Sequence, residues 1–302
     1  MKKFIVRLLI IIAITFVADR GFGYVAKILY SRTTTTDEYK VNSVIYRMDD
    51  PVVFMGSSRA HHHYIPSIIG DTLQTGVYNA GLWGTRNTFF QYALLCNILQ
   101  RYTPKTICWE IHPIDYLQTP FSSYETVDEL APFVNYSPEC DALLKKSGQY
   151  YRCEVSHLYR YNSRFVNLLV GLTSHASSSN KGYKAMSGIF DTAHATVIKD
   201  KFPYPVSEEK VHYMQLFIDK CKEKHIQLIL LYSPKFAVED PSLFNIPDSL
   251  ARKNGIPFIN HYNMEGITGH PEYFYDWGHL NSNGAEKYSP IIASELKQYI
   301  HK

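Results

Sequence analysis

Strands alternating with helices along most of this 302-residue chain predict an α/β fold built on a parallel, doubly wound sheet. Three observations carry the prediction. Residues 51–56 (PVVFMG) and 226–232 (IQLILLY) are short continuous apolar runs, the pattern of strands buried on both faces. Residues 87–102 set Phe90, Leu94, Leu95, Ile98 and Leu99 along one side of a helix. Where residues 113–205 interrupt the alternation, the chain reads as an insertion over the carboxyl edge of the sheet rather than a second domain.

Taken in order, the chain opens with Lys2, Lys3 and Arg7, followed by the run 8–18, apolar but for Thr15 and free of charge. Eleven helical residues rise only about 16 Å, against a hydrocarbon core of about 30 Å. Counting from Phe4, with Arg7 snorkelling to the interface, brings a span closer. The expectation for residues 1–30 is an uncleaved signal anchor, amino end inside. A cleaved signal is the competing reading, although residues 16–18 fit a cleavage site poorly and residues 21–23 only passably, and a merely buried helix is the third. Residues 31–50, beginning SRTTTTD, read as a polar tether, and 51–302 as one domain.

Within that domain, strands are expected at 51–56, 76–81, 106–111, 226–232 and 257–260. Ser207 can cap a helix over 207–224. A last helix starts near Asn283, with Glu286 placed as in a capping box. The insertion carries helical patterns near 127–146 and 156–172 and a Ser/Gly-rich stretch over 174–187.

Composition narrows the partners. With 45% apolar and 20% charged residues the chain is globular, and a net charge of +3 without a basic stripe argues against nucleic acid. Tyrosine is abundant, 24 residues against 3 tryptophans, which suits polar or interfacial ligands as well as ordinary packing. Of five cysteines, Cys96, Cys108 and Cys221 lie in apolar stretches, while Cys140 and Cys153 could bridge in an exported protein. No C-x-x-C occurs, so zinc and thioredoxin-type chemistry lack support, and no metal or cofactor is expected.

Two short motifs carry chemistry. Asp276 and His279, separated by Trp277 and Gly278, put a carboxylate one turn from an imidazole. Ser57 and Ser58 follow a strand and Gly56 at the other end of the domain. A hydroxyl, a base and a group orienting the base are what a nucleophilic hydrolase needs.

Over residues 51–109 and 226–302 the chain resembles the SGNH/GDSL hydrolase superfamily. Residues 52–59 (VVFMGSSR) resemble its first block, with Ser57 in place of aspartate, and that register implies Ser58 as nucleophile. Residues 79–84 (NAGLWG) resemble the second, implying Asn79 and Gly84 at the oxyanion and substrate site. Residues 274–281 (FYDWGHLN) resemble the last, with Asp276 and His279. The third block departs: residues 110–115 (EIHPID) lack its asparagine, leaving His112 as a substitute donor. The resemblance implies a flavodoxin-like three-layer sandwich. Together with the anchor, it is most similar to D-alanyl-lipoteichoic acid transfer proteins and alginate-type O-acetylation proteins. Such relatives act on acylated glycans or cell-wall polymers, often beside a membrane-bound O-acyltransferase.

Plainer readings stand beside these. Ser58 could cap a helix, Asp276 and His279 could stabilise a loop, and Gly84 could be a turn residue. His61, His62 and His63 read as surface or substrate rim rather than metal ligands. Arg59 could meet an anionic substrate or a carboxylate of the protein. The expected function is an extracytoplasmic, membrane-anchored serine esterase or O-acyltransferase, with Tyr150, Tyr151, Tyr159 and Tyr161 of the insertion binding the acceptor. The alternative is a catalytically impaired protein that binds glycan or a membrane partner.

Overall fold

Five strands, β1 (Val52–Met55), β2 (Val77–Asn79), β3 (Thr106–Glu110), β4 (Gln227–Tyr232) and β5 (Phe258–Asn260), form one sheet in a computed structural model. It describes residues 1–33, 37–84, 86–120, 124–171, 180–192, 204–237 and 240–300. The order is β2-β1-β3-β4-β5 with every pair parallel, the doubly wound arrangement of flavodoxin-like proteins. The apolar runs explain it, because both faces of each central strand are covered. Val53, Met55, Ile107, Trp109, Leu228 and Leu230 face one core, while Val52, Phe54, Cys108, Ile229 and Leu231 face the other.

Two helices precede the sheet, α1 (Lys2–Arg32) and α2 (Asp37–Tyr46), and α3 (Ser58–His63) and α4 (Pro66–Leu73) link β1 to β2. The insertion contributes α6 (Pro138–Lys146), α7 (Tyr150–Val155) and α8 (Phe165–Gly171). The remaining helices are α5 (Thr88–Ile98), α9 (Glu208–Glu223), α10 (Asn245–Asn254) and α11 (Ser282–Leu296). Helices α5 and α9 cover the first core, where Trp109 stacks on Phe217 at 4.1 Å, and α4 and α11 cover the second. The Asn87 side chain caps α5 by accepting from the Phe89 and Phe90 amides. Ser207 caps α9 through Lys210 N–H. The cap of α11 falls two residues earlier than expected: Asn281 Oδ1 accepts from Gly284 N–H at 2.9 Å.

The amino-terminal segment departs from the sequence reading. Residues 37–46 form α2 instead of continuing a tether, because Val41, Val44, Ile45 and Met48 recur at helical spacing and are buried. Thr34, Thr35 and Thr36 lie outside the described residues. No helix among the described residues is long and apolar enough to cross a membrane. Asp19 and Arg20 end the apolar run of α1, and its second half belongs to the domain. Asp19 accepts from the His157 and Leu158 amides, and Tyr30 packs against Phe133 and Tyr161. Gly23 allows this contact, since a Cβ there would sit 2.5 Å from His157 Cβ.

The insertion lies only partly over the carboxyl edge of the sheet, where Ile114 lines a surface groove and Lys184 and Met186 bond α3 and Ser282. Its helical part packs on the outer side of α5, which is why all of α5 is buried rather than a single face. Three of the four tyrosines singled out in the sequence have partners inside the protein. Tyr161 is buried against Tyr30, Tyr150 OH donates to Asn135, Tyr159 OH donates to Gln149, and Tyr151 is exposed. Residues 174–179 of the Ser/Gly-rich stretch lie outside the described residues. The part that follows covers the sheet edge, with Asn79 N–H donating to Lys181 O at 2.9 Å. Cys140 and Cys153 are free and buried rather than bridged.

If α1 is a structural part of the domain, Tyr30→Ala should cost about 3–5 kcal/mol in urea-denaturation experiments, as large-to-small core changes do. Tyr151→Ala, at a position 67% exposed, should stay within about 0.5 kcal/mol.

Candidate active site

Strand β1 ends in Gly56, whose φ of 144° only glycine takes readily. A Cβ at Gly56 would meet Glu110 O at 2.7 Å, so β1 passes close to β3 at this bend. The turn puts Ser57 at the cap of α3 and Ser58 at its first position, at the carboxyl edge of the sheet. In the order β2-β1-β3, the crevice between β1 and β3 is the topological switch point, where ligands of doubly wound sheets bind. Gly81 lets α3 settle there, because a Cβ would fall 2.4 Å from His61 N.

The other half of the site is a pinned turn between Phe274 and Leu280, which form a bridge. Asp276 Oδ1 accepts from the Gly278 and His279 amides, both at 2.8 Å, an Asx turn that shapes the loop. The same carboxylate accepts from His279 Nδ1 at 2.9 Å. Since a carboxylate only accepts, Nδ1 carries the proton and Nε2 is left to accept. Ser58 Oγ lies 2.7 Å from that Nε2. Burial alone would raise the Asp276 pKa, but the hydrogen bonds from His279 and the two amides, with the nearby imidazole, hold it below the usual value.

These residues line a groove of about 280 Å³ with Ser57, Arg59, Trp83, Gly84, His112, Ile114, Lys235, Trp277 and Gly278. A larger cavity of about 900 Å³ flanks β2. Its described lining holds no histidine or cysteine, and no nucleophile–base pair, so the smaller groove is the one with chemistry.

Four further sequence candidates sort differently. Gly84 lies in the groove with φ of 81°. His112 lies there too, its Nδ1 accepting from Ile114 N–H at 3.3 Å, so the neutral ring carries its proton on Nε2. Although part of His112 meets solvent, dense surroundings, then the charges of Lys235 and Arg59, hold its pKa well below the usual value. Its loop is tied down by Asp115, which accepts from His112 N–H at 2.8 Å, and by buried Lys210 donating to Leu117 O at 2.9 Å. Asn79, by contrast, is buried outside the groove lining. Its amide donates to Ala60 O and Tyr64 O and its carbonyl accepts from Gly81 N–H, so it pins the turn over α3. Arg59 touches the groove but is engaged from beneath: it pairs with Glu110 at 3.2 Å, donates to Ser233 Oγ at 2.9 Å and lies over Tyr232.

His61, His62 and His63 are all buried, contrary to the surface reading, because α3 lies under Trp83 and residues 181–186. Among the described residues no group of three or more His, Cys, Asp or Glu is arranged to hold a metal ion. His63 has a definite role. Its Nε2 accepts from Leu280 N–H at 2.9 Å, so its Nδ1–H donates to Ser233 Oγ at 2.7 Å, and Ser233 donates to Glu110 at 2.7 Å. The residue next to His279 is thereby fastened to the helix that begins with Ser58.

The sequence reading missed Trp83, Trp277 and Lys235 as groove residues. Two were available within motifs it quoted. Lys235 follows the strand most evident in the sequence, and the carboxyl ends of parallel strands are where ligand-binding side chains gather.

No protein-family model matches the chain, and no curated protein matches it. Several solved structures are distantly similar in backbone. One is an acylhydrolase candidate from Bacteroides fragilis NCTC 9343, at 15% identity and TM-score 0.40 over 83% of this chain and 88% of that one. Another is a lipolytic-protein candidate of the G-D-S-L family from Desulfitobacterium hafniense DCB-2, at 11% identity and TM-score 0.42 over 82% and 98%. A third is the acetyl xylan esterase AlAXEase, at 13% identity and TM-score 0.41 over 83% and 99%.

The histidine cluster makes stability pH-dependent. Burial, foremost, lowers the pKa of His61, of His62 to about 4, and of His63 and His112, below the ordinary 6.5. The unfolded chain therefore takes up protons that the folded chain refuses, so stability is present above about pH 6.5 and declines below it. Thermal melts should fall steadily from about pH 7 to about pH 5. His62→Gln, which removes one such group, should flatten that decline.

Proposed function

We propose that the protein is a serine esterase or O-acyltransferase acting on acyl esters through Ser58, His279 and Asp276. One observation carries this reading above the rest: Ser58 Oγ, His279 and Asp276 are joined by hydrogen bonds of 2.7 and 2.9 Å at the switch point of the sheet. In the reaction, Ser58 Oγ attacks the ester carbonyl carbon while His279 Nε2 takes its proton, and Asp276 holds the imidazole in orientation. The carbonyl oxygen becomes an oxyanion facing the Ser58 and Gly84 amides and the Nε2–H of His112, which takes the place of the missing asparagine. Collapse expels the alcohol, which receives the proton from His279, and leaves acyl-Ser58. Water then gives the acid, or a glycan hydroxyl gives a new ester.

The substrate in this reading is an acyl ester of a cell-envelope or secreted glycan, and the domain works outside the cytoplasm. Supporting that location, Lys2, Lys3 and Arg7 precede apolar side chains from Phe4 to Val17 that are exposed all around the helix. An unpacked helix that is apolar on every side suits lipid better than water. The apolar run stops short of a full span, so the reading is attachment through α1, with its second half fixed to the domain. A membrane-bound O-acyltransferase is the natural partner if the reaction is transfer. Ile114 of the insertion lines the groove, whereas Tyr150, Tyr151, Tyr159 and Tyr161 do not and are no part of the proposed acceptor site.

A fluorophosphonate probe should label the native chain, and Ser58→Ala should abolish labelling while Ser57→Ala keeps it. The reverse pattern would move the nucleophile to Ser57. Asp276→Asn should lower kcat toward 4-nitrophenyl acetate by about 10²–10⁴-fold with little change in KM, because it disturbs the imidazole tautomer rather than binding. For the membrane, the chain should stay in the pellet after alkaline carbonate washing. Recovery in the supernatant would contradict attachment through α1.

A further inference from the structure

The apolar surface of α1 does not stop where the helix joins the domain. Up to Val17 its large apolar side chains are exposed on every side, while further on Gly23, Ala26 and Tyr30 face the protein. The two charges at the change-over are folded inward. Asp19 accepts from the Ser156 hydroxyl and from the His157 and Leu158 amides, and it pairs with Arg20 at 2.7 Å. Arg20 also donates to Glu154 O and Val155 O, both at 3.2 Å, at the carboxyl end of α7, where a cation is favoured. Its guanidinium lies over the Phe16 ring at 4.4 Å. Past this point Phe22 and Val25 of α1 stay exposed. Tyr151 and Val155, four residues apart, share one face of α7, and Val155 is 77% exposed. Helix α8, which packs against α1, leaves Val166 71% exposed, with Leu169 exposed on the same face. Lys27 of α1 and Arg152 beside Tyr151 are exposed too, and among the described residues neither forms an ion pair, whereas Glu154 is taken by Arg160 at 3.0 Å.

We infer that this face of α1, α7 and α8 docks on a lipid bilayer, with Phe22, Val25, Val155, Val166 and Leu169 at the boundary between headgroups and acyl chains. Soluble surfaces scatter such side chains singly, whereas here three connected elements expose them around the foot of one unpacked apolar helix. Lipid is the occupant that suits the arrangement, because the face continues the all-round apolar surface of α1, which offers no single ridge to a protein partner. Tyr151 and the unpaired Lys27 and Arg152 add the groups that gather at an anionic headgroup layer. The inference rests on attachment through α1 and adds to it the side of the domain that touches the membrane. A domain held by α1 alone is free to turn about it. A second contact fixes the height and orientation of the groove, so that Ser58 meets esters at a constant distance from the bilayer.

The five native cysteines are buried, so a single introduced cysteine takes a nitrobenzoxadiazole label in the full-length protein. Labels are placed through Val155→Cys and Leu169→Cys on the proposed face and Ile11→Cys on the free half of α1. Asp248→Cys on α10, which packs on α9 and β5, is the control. Each protein is reconstituted in vesicles of phosphatidylethanolamine and phosphatidylglycerol carrying nitroxide lipids spin-labelled near the headgroup. The labels at 155 and 169 should lose about half of their emission and the control less than about a tenth, as interfacial depth requires. Val155→Asp with Val166→Asp should return the label at 169 to the control value. Labels at 155 and 169 that match the control while the label at 11 is quenched would overturn the docking and leave attachment through α1 standing. An unquenched label at 11 would remove the attachment, and the docking with it. Emission shifted to the blue but not quenched by the nitroxide lipids would mark a second copy of this chain on the face and overturn the proposal as well.

Discussion

The Glu110 carboxylate at the end of β3 is the interaction on which the geometry of the groove depends. Buried beneath the groove, it pairs with Arg59, accepts from both the amide and the hydroxyl of Ser233, and accepts from Tyr64 OH. Arg59 and Tyr64 flank the histidines of α3, and Ser233 follows β4. A carboxylate placed there without partners would be costly, and with all of them it fastens three strand ends at one depth. Ser233 completes the arrangement: its hydroxyl accepts from Arg59 and His63 and donates to Glu110, which uses its hydrogen-bonding capacity in full. Through His63 the same network reaches Leu280 N–H, beside the base. The 2.7 Å approach of Ser58 to His279 spans 221 residues of sequence, and buried polar contacts of this kind hold it.

This construction also explains why the base loop needs little secondary structure of its own. Asp276 shapes the turn through two amides before it touches the imidazole, so one carboxylate both folds the loop and orients the ring. His112 is supported in a parallel way, with Asp115 beneath its amide and Lys210 under the same loop. Residues that meet substrate in the proposed reaction are thus held by polar groups that never reach it, as precise positioning requires.

The sheet was legible because buried parallel strands are continuous apolar runs, and both motifs sit where β1 ends and where α11 begins. The departures have physical causes. Residues 37–46 looked polar because Asp37, Glu38 and Lys40 dominate the composition, while the helical recurrence of Val41, Val44, Ile45 and Met48 decides the outcome. Asn79 looked like a substrate ligand, but its short side chain is spent on three backbone partners. The histidines of α3 looked like a rim because three consecutive residues ordinarily cannot all face inward, whereas in a short helix wedged at the sheet edge all three are buried. The tyrosines of the insertion read as a ligand surface, but Tyr161 packs on Tyr30 of α1, and Tyr150 and Tyr159 bond partners within the insertion. Tertiary contacts made these choices, and local pattern does not record them.

The most direct test of the central claim is to trap the covalent intermediate. The native chain is mixed with 4-nitrophenyl acetate, quenched in acid within the first turnovers, and its peptides are mapped by mass spectrometry. The account predicts one acetyl group, carried by Ser58. An unmodified Ser58 peptide during measurable release of 4-nitrophenol, or an acetyl group on Ser57 or another residue, would contradict it.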